Sequence, residues 1–326
     1  MKLILFFFFS AVGAGSSSTE IEEDHLNQLE LDQFLDLFHL PKVVDPVEKE
    51  KRSEILKKNQ QKVLEANEAF LAGNQTWREE INEFSHLTEE EFLASHTSLG
   101  LATDNDARSS LSSLHTGEES EELSQEGSRL PDHYSSVHQV GPAKYQRCGN
   151  CQLFATVALV EICHARTFGH RAAYSEQELM DCAYNGRDIK GCAGACYECY
   201  GQWLKKTRIP LLSEKIYPRP ARAGHGHCRR GLKPLKSRVS VTKTFISSIR
   251  HDDRRRLLAS ERKMKRLVVE HGAVGTTLAT TNFGHYKHGV FAGCPERDSY
   301  NRDHMIAVVG YGTEKGVDYW LVRNSW

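Results

Sequence analysis

Cys151, His304 and Asn324 are the residues whose types and order set the chemistry this chain can attempt. Cys151 closes the run Gln146-Arg147-Cys148-Gly149-Asn150-Cys151 and stands directly ahead of an apolar stretch. His304 and Asn324 follow it by 153 and 173 residues. A thiol is a strong nucleophile near neutral pH only when a base takes its proton. An imidazole can take and return that proton, and a carboxamide can hold the ring in one orientation. A sulfur in the first turn of a helix gains further from the positive helix end. Gln146 and the Cys151 amide are candidates to donate to the charge that develops on a carbonyl oxygen under attack. This order of residues predicts acyl transfer, with Cys151 as nucleophile, His304 as acid–base and Asn324 as the orienting group.

Several elements must bring these residues together. Gln152–Phe168 reads as a helix with Phe154, Val157, Ala158, Glu161 and Ile162 along it. Ser175-Glu176-Gln177-Glu178 reads as a capping box opening another helix. Beyond about Pro218 the runs shorten and alternate as strands: Val239–Thr242, Gly275–Leu278 and Met305–Val309. One helix, about Asp253–Glu270, interrupts them. A helical part followed by a strand-rich part predicts an α+β fold with two lobes.

Upstream, residues 20–39 are acidic, with Leu26, Leu29, Leu31, Phe34, Leu35 and Leu37 at near-helical spacing. A longer helix is predicted over Val47–Leu71, with Glu48, Arg52, Leu56, Asn59, Val63 and Asn67 sharing one face. From periodicity alone its polar members read as incidental. Ile81–His86 alternates as a short strand, and Thr88-Glu89-Glu90-Glu91 is a capping box starting a helix at Glu89. Residues 104–129 are rich in Ser, Glu and Gly and predict an exposed, cleavable linker.

The chain has 326 residues and a net charge of −1, which hides a split. Residues 16–129 carry 26 acidic and 10 basic side chains, whereas residues 130–326 carry 17 and 31. Such opposed halves predict partners within one chain. No nucleic-acid motif accompanies the basic half, so nucleic acid is not expected as a partner. Met1-Lys2, the apolar run Leu3–Phe9 and the small residues to Gly15 read as a secretory leader. The run is too short for a bilayer, which needs about 20 apolar residues. The expected location is the lysosome or the exterior, where disulfides persist. All nine cysteines lie at or beyond Cys148. Cys196-x2-Cys199 with His225, His227 and Cys228 has metal-ligand flavour; a local disulfide or free thiols is the favoured reading, and no metal or cofactor is expected. Arg254–Arg256 with Arg262, Lys263, Lys265 and Arg266 make a dense basic helix, either a solvated face or a dock for the acidic half. Asn74-Gln75-Thr76 is an N-glycosylation sequon.

From Val47 to Trp326 the chain resembles a papain-like cysteine protease of the cathepsin L type, written as a zymogen. The motifs that carry the likeness are Glu48-x3-Arg52-x3-Leu56-x2-Asn59-x3-Val63-x3-Asn67, Glu80-x-Asn82-x-Phe84-x-His86, Ser175–Cys182, Gly191–Ala195 and His304–Gly312. The resemblance implies a helical lobe and a β-barrel lobe with the site between them, and a pro-segment that blocks the cleft. It implies the roles of Cys151, His304, Asn324 and Gln146 given above. It further implies disulfides Cys148–Cys192 and Cys182–Cys228. Gly149, Gly194, Ala195, Asp303 and Met305 are implied to contact substrate, with Met305 lining the pocket for the second side chain before the scissile bond. The implied layout is a signal segment at 1–15, an inhibitory pro-segment at 16–102, a linker with the activation cleavage at 103–129 and a peptidase domain from 130. Peptides or proteins are the implied substrates, the pro-segment the intramolecular inhibitor, and the protein a monomer.

Four departures from the family pattern are visible. One residue, not two, separates Gln146 from Cys148, which predicts a Gln146 side chain falling short of the oxyanion. Gln152 stands where the family has Trp. Ala195 replaces a glycine and requires negative φ there. The chain stops at Trp326, short of the family's length, which predicts an incomplete barrel and leaves Cys294 without its family partner. These departures motivate a second expectation, a weak or inactive homologue acting as a binding protein.

Overall fold

The computed structural model describes residues 2–5, 25–97, 129–220, 223–233, 239, 241, 254–293 and 303–326. The 104–128 part of the linker, the basic triplet's side chains and Cys294 lie outside the described residues.

Apolar patterning builds three bodies. In the first, helix α1 (Leu31–Leu37) lies on α2 (Pro46–Leu71), burying Leu31, Phe34, Leu35, Leu56 and Val63 together with Ile81. Asp45 caps α2 by accepting from the Glu48 amide, and Pro46 occupies its first turn, where no N–H is needed. Strand β2 (Trp77–Glu79) and helix α3 (Glu89–His96) follow. The Thr88 capping box is complete in both directions.

The predicted strand at Ile81–His86 is absent. Asn82 accepts from the Phe84 amide, the Asn82 amide donates to Ser85 Oγ, and the segment turns. These local bonds replace a ladder, and the strand forms earlier, at β2.

After β3 (Tyr134–Ser135), the second body packs α4 (Cys151–Phe168), α5 (Glu176–Ala183) and α6 (Cys199–Thr207) around Leu153, Val157, Tyr174, Leu179, Tyr200 and Leu204. Ser175 caps α5, but its box is only half made, because Glu178 accepts from the distant Leu212 amide instead. Val239 and Val241 pack on this core without belonging to a strand; Ser240 and Thr242 are outside the described residues.

The third body is a seven-stranded sheet with α7 (Arg254–His271) against it. Its strands β1 (Lys2–Leu5), β4 (Val274–Leu278), β5 (Tyr286–Phe291), β6 (His304–Glu314) and β7 (Val317–Arg323) join β2 and β3 in the order β2-β5-β1-β7-β6-β3, with β4 also on β6. β1 falls within the segment read as a leader, and it runs parallel to β7 and antiparallel to β5.

An interlobe cluster joins the last two bodies. Ala158 and Ile162 of α4 pack on Ala307 and Val309 of β6 and on Leu321 of β7. Beside it lies a buried charge network. Lys144 Nζ reaches Glu161 at 2.9 Å and Glu176 at 2.8 Å, and Arg323 reaches Glu161 at 2.8 Å. Burial alone would lower the Lys144 pKa, but the two carboxylates outweigh it and hold it above an ordinary lysine. Burial lifts the Glu176 carboxyl in turn.

Candidate active site

Cys151 is the first residue of α4 and is fully buried. Asn150 precedes it without a side-chain cap. The positive end of an 18-residue helix therefore faces the sulfur. Across the cleft, the interlobe packing carries the start of β6 to the same point. The Met305 amide donates to Cys151 Sγ at 3.3 Å.

His304 is the residue just before that amide and is also fully buried. Its Nε2 lies 2.7 Å from Asn324 Oδ1. The same oxygen accepts from the Ser325 amide at 2.8 Å, which fixes it as the oxygen end of the carboxamide. Nε2 therefore carries the proton, and Nδ1, which has no hydrogen-bond partner, is left as the basic nitrogen. Trp326 covers this pair, its ring 4.1 Å from the imidazole. Burial pushes the His304 pKa down to about 4, against the Asn324 bond, which raises it; nearby His96 lowers it further.

Gln146 reaches the cleft despite its shortened spacing. Its Nε2 donates to the His96 carbonyl at 2.7 Å and to the Cys148 carbonyl at 2.9 Å. Ser325 Oγ donates to Gln146 Oε1 at 2.5 Å, and the Gln146 amide to the Ser325 carbonyl at 2.7 Å, so both ends of the side chain are held. These contacts fix the side chain in place, its nitrogen giving hydrogens to two backbone carbonyls. Its partner Ser325 lies 179 residues away in sequence.

The cleft is filled by the first body. The His96 carbonyl sits on Gln146, and the Thr97 carbonyl lies 2.5 Å from where a Cβ on Gly149 would stand. Only glycine lets that backbone pass. His96 stacks on Phe92 and meets Phe84 edge-on, and Phe92 meets the Trp326 ring at 4.9 Å. Gly194 has φ of +90°, and Ala195 is buried and outside the positive-φ residues, so the replacement is tolerated. Asp303 accepts from Thr280 Oγ1 at 3.0 Å. Gln152 is fully buried. Met305 packs with Cys151 and Ala155, and Tyr197 completes that wall.

Cys148–Cys192 and Cys182–Cys228 are joined, and so are Cys196 and Cys199. Among the described residues, no group of three or more His, Cys, Asp or Glu is placed to hold a metal ion. No described helix is long and apolar enough to cross a membrane. Asn74 is exposed just beyond α2. Sequence reasoning missed Ser325 and Trp326 as parts of the site, although both adjoin Asn324. It also missed His96, whose backbone carbonyl, invisible to any motif, makes the contact.

The basic helix α7 packs on β4 and β6. The acidic body meets the sheet elsewhere, through β2 on β5, Asn82 Nδ2 on the Gly284 carbonyl and the ion pair Glu80–Lys287.

Comparison with known proteins agrees with this architecture. The chain is similar to ananain of Ananas comosus, 31% identical over 76% of this chain and 64% of that one. It is 37% identical to the cysteine proteinase COT44 of Brassica napus over 55% of this chain and 49% of that one. The chain thus spans about half to two thirds of those relatives' length. A cathepsin L-like peptidase of Aedes aegypti is 28% identical over 99% of this chain and 90% of its own. Among solved structures, digestive procathepsin L2 of Tenebrio molitor larval midgut superposes with a TM-score of 0.69 at 24% identity, over 90% of this chain and 88% of that one, which speaks to the fold. The model of the papain family cysteine protease matches residues 131–326, and the chain belongs to that family.

Proposed function

We propose that this protein is a cysteine endopeptidase made as a zymogen, cleaving peptide bonds through Cys151, His304 and Asn324. The carrying observation is the His304 Nε2–Asn324 Oδ1 bond, which leaves Nδ1 as the base one residue away from the amide that touches the sulfur. In this reading Nδ1 takes the Cys151 proton and the thiolate attacks a peptide carbonyl. Gln146 Nε2 and the Cys151 amide hold the oxyanion. His304 then protonates the leaving amine, and a water deprotonated by His304 releases the acyl group. The Gln146 contact with a carbonyl in the cleft supports catalysis over a purely binding role.

The residues 25–97 body is the inhibitor. It occupies the cleft and buries His304, and an imidazole held near 4 stays neutral at neutral pH. The imidazolium that would stabilise a thiolate is therefore withheld while the cleft is filled. The protein enters the secretory pathway through residues 1–15 and reaches the lysosome or the exterior, with Asn74 glycosylated.

Acidified full chain treated with a limiting epoxide thiol probe tests this reading. Selective modification of Cys151, abolished in His304→Ala, is expected by mass spectrometry. Equal modification of Cys151 and the exposed Cys163 would overturn it.

A further inference from the structure

The Cys196–Cys199 disulfide lies outside the chemistry above, yet it borders the cleft. It spans three residues, against 44 and 46 for the other two. Between its cysteines stand Tyr197 and Glu198, and all four residues are half-buried. Cys199 opens α6, and Tyr200 in its first turn is buried in the helical core. Cys199 packs on the same core, which anchors one end of the bridge. Cys196 is tied at the other end, its amide donating to the Asp188 carbonyl at 3.1 Å. The Cys199 amide donates to the Cys196 carbonyl at 3.2 Å and closes the turn. Tyr197 sits in this closed turn and packs against Cys151, Ala155 and Met305.

We propose that the Cys196–Cys199 bridge is a thiol-sensitive clamp that holds Tyr197 in the wall of the substrate cleft and so restricts which side chain the pocket at Met305 accepts. Closed, the turn fixes the phenol ring against Met305 and narrows the pocket. Opened, the turn loses its covalent closure, the ring moves away from Met305, and the pocket takes bulkier side chains. Opening is thiol–disulfide exchange. A small thiolate such as that of glutathione attacks one sulfur and forms a mixed disulfide. A second thiol then displaces the remaining cysteine. Two thiols lose two electrons to become one external disulfide, and Cys196 and Cys199 gain them with two protons. A bridge of this span restrains the unfolded chain least, so its opening leaves the lobe folded.

The inference rests on Cys151 acting as the nucleophile. The test acidifies the full chain to free the cleft, returns it to neutral pH in a graded series of reduced glutathione, where thiolate is present, and uses differential alkylation to record which cysteines are open at each step. Two peptides are compared, with Phe or Ala as the second residue before the scissile bond. As Cys196 and Cys199 open, the Phe-to-Ala ratio of kcat/KM is expected to rise about tenfold, carried by KM, as pocket fit to apolar side chains is. The variant Cys196→Ser/Cys199→Ser should show the raised ratio at every glutathione concentration. Hydrogen exchange of residues 194–204 should rise in the opened protein and the variant alike. An unchanged ratio in both, with peptides still cut, overturns the clamp alone. Neither peptide cut, with Cys151 unlabelled by the epoxide, overturns the nucleophile reading and the clamp with it.

Discussion

Gln146 shows how much of the site depends on a few atoms. Its carboxamide is pinned at both ends, by Ser325 at the oxygen and by carbonyls at the nitrogen. When the first body leaves, the hydrogen given to the His96 carbonyl is freed, and in the proposed reaction a donor held this way stabilises charge without having to reorganise. Gln146→Ala should therefore lower kcat by about 100- to 1000-fold with little change in KM, measured on a peptide substrate after activation. The residues proposed as nucleophile, base and orienting group could be picked out in the sequence because their types are rare in combination and stand in one order. The neighbours that hold them were not. Ser325 Oγ is a common hydroxyl, and its bond to Gln146 exists only because the fold joins residues 179 positions apart.

At the scale of elements, α2 carries the lesson. Its polar residues read as incidental from periodicity, yet three of them fasten the segments that follow. Asn59 Nδ2 donates to the Ser85 and Leu87 carbonyls, and Arg52 bonds the His86 carbonyl and the Glu91 carboxylate. Asn67 exchanges two bonds with the backbone of Glu79, at the end of β2. The helix is thus a backing plate that holds β2 and α3 in the shape the cleft accepts. Asn67→Ala should cost the docked body about 1–3 kcal/mol, since it orphans a buried amide and carbonyl; faster release of the inhibitory segment in a peptide-cleavage assay checks this. Element types along the chain were readable where periodicity ran long, as in α2, α4 and α7. Ile81–His86 was misread because Asn82 and Ser85 satisfy nearby backbone groups themselves. Such bonds have no period to detect.

For the whole molecule, opposed charge on the two halves would by itself make their docking weaken in acid, and the contacts place the sensitivity elsewhere. The interface carries buried imidazoles. Burial lowers the pKa of His96, and it pushes His285, beside Lys62, down to about 4. A docked form holding these rings neutral binds fewer protons than the released form. Docking is then at full strength above the free histidine value near 6.5 and weakens as pH falls from there towards 4. Glu91 adds a second window, this one for the stability of the first body itself. Its bond to Arg52 holds the carboxyl at about 2, so its contribution, present above the free value near 4.3, is lost as pH falls from there towards 2. Release of the inhibitory body should therefore rise between pH 6.5 and 4, followed by the appearance of peptide cleavage; flat release across that range would contradict it. The lobes themselves are joined by Lys144, Glu161, Glu176 and Arg323, four charges scattered over 180 residues that no local pattern could connect. Lys144→Met leaves the buried carboxylates uncompensated and should lower unfolding stability by about 3–5 kcal/mol in denaturant titration.

β1 occupies a seat one strand wide between β5 and β7, hydrogen-bonded on both sides. Cleavage of a leader that includes it would leave two facing rows of amides and carbonyls about 10 Å apart, twice the usual strand spacing. Such a gap is a template rather than a scar: it selects an extended segment, in register with Trp320 and Leu321 on one side and Val290 on the other, and binds it by backbone geometry before any side chain is read. Were such a leader removed, a segment of the same chain and one from a second copy would compete for that seat.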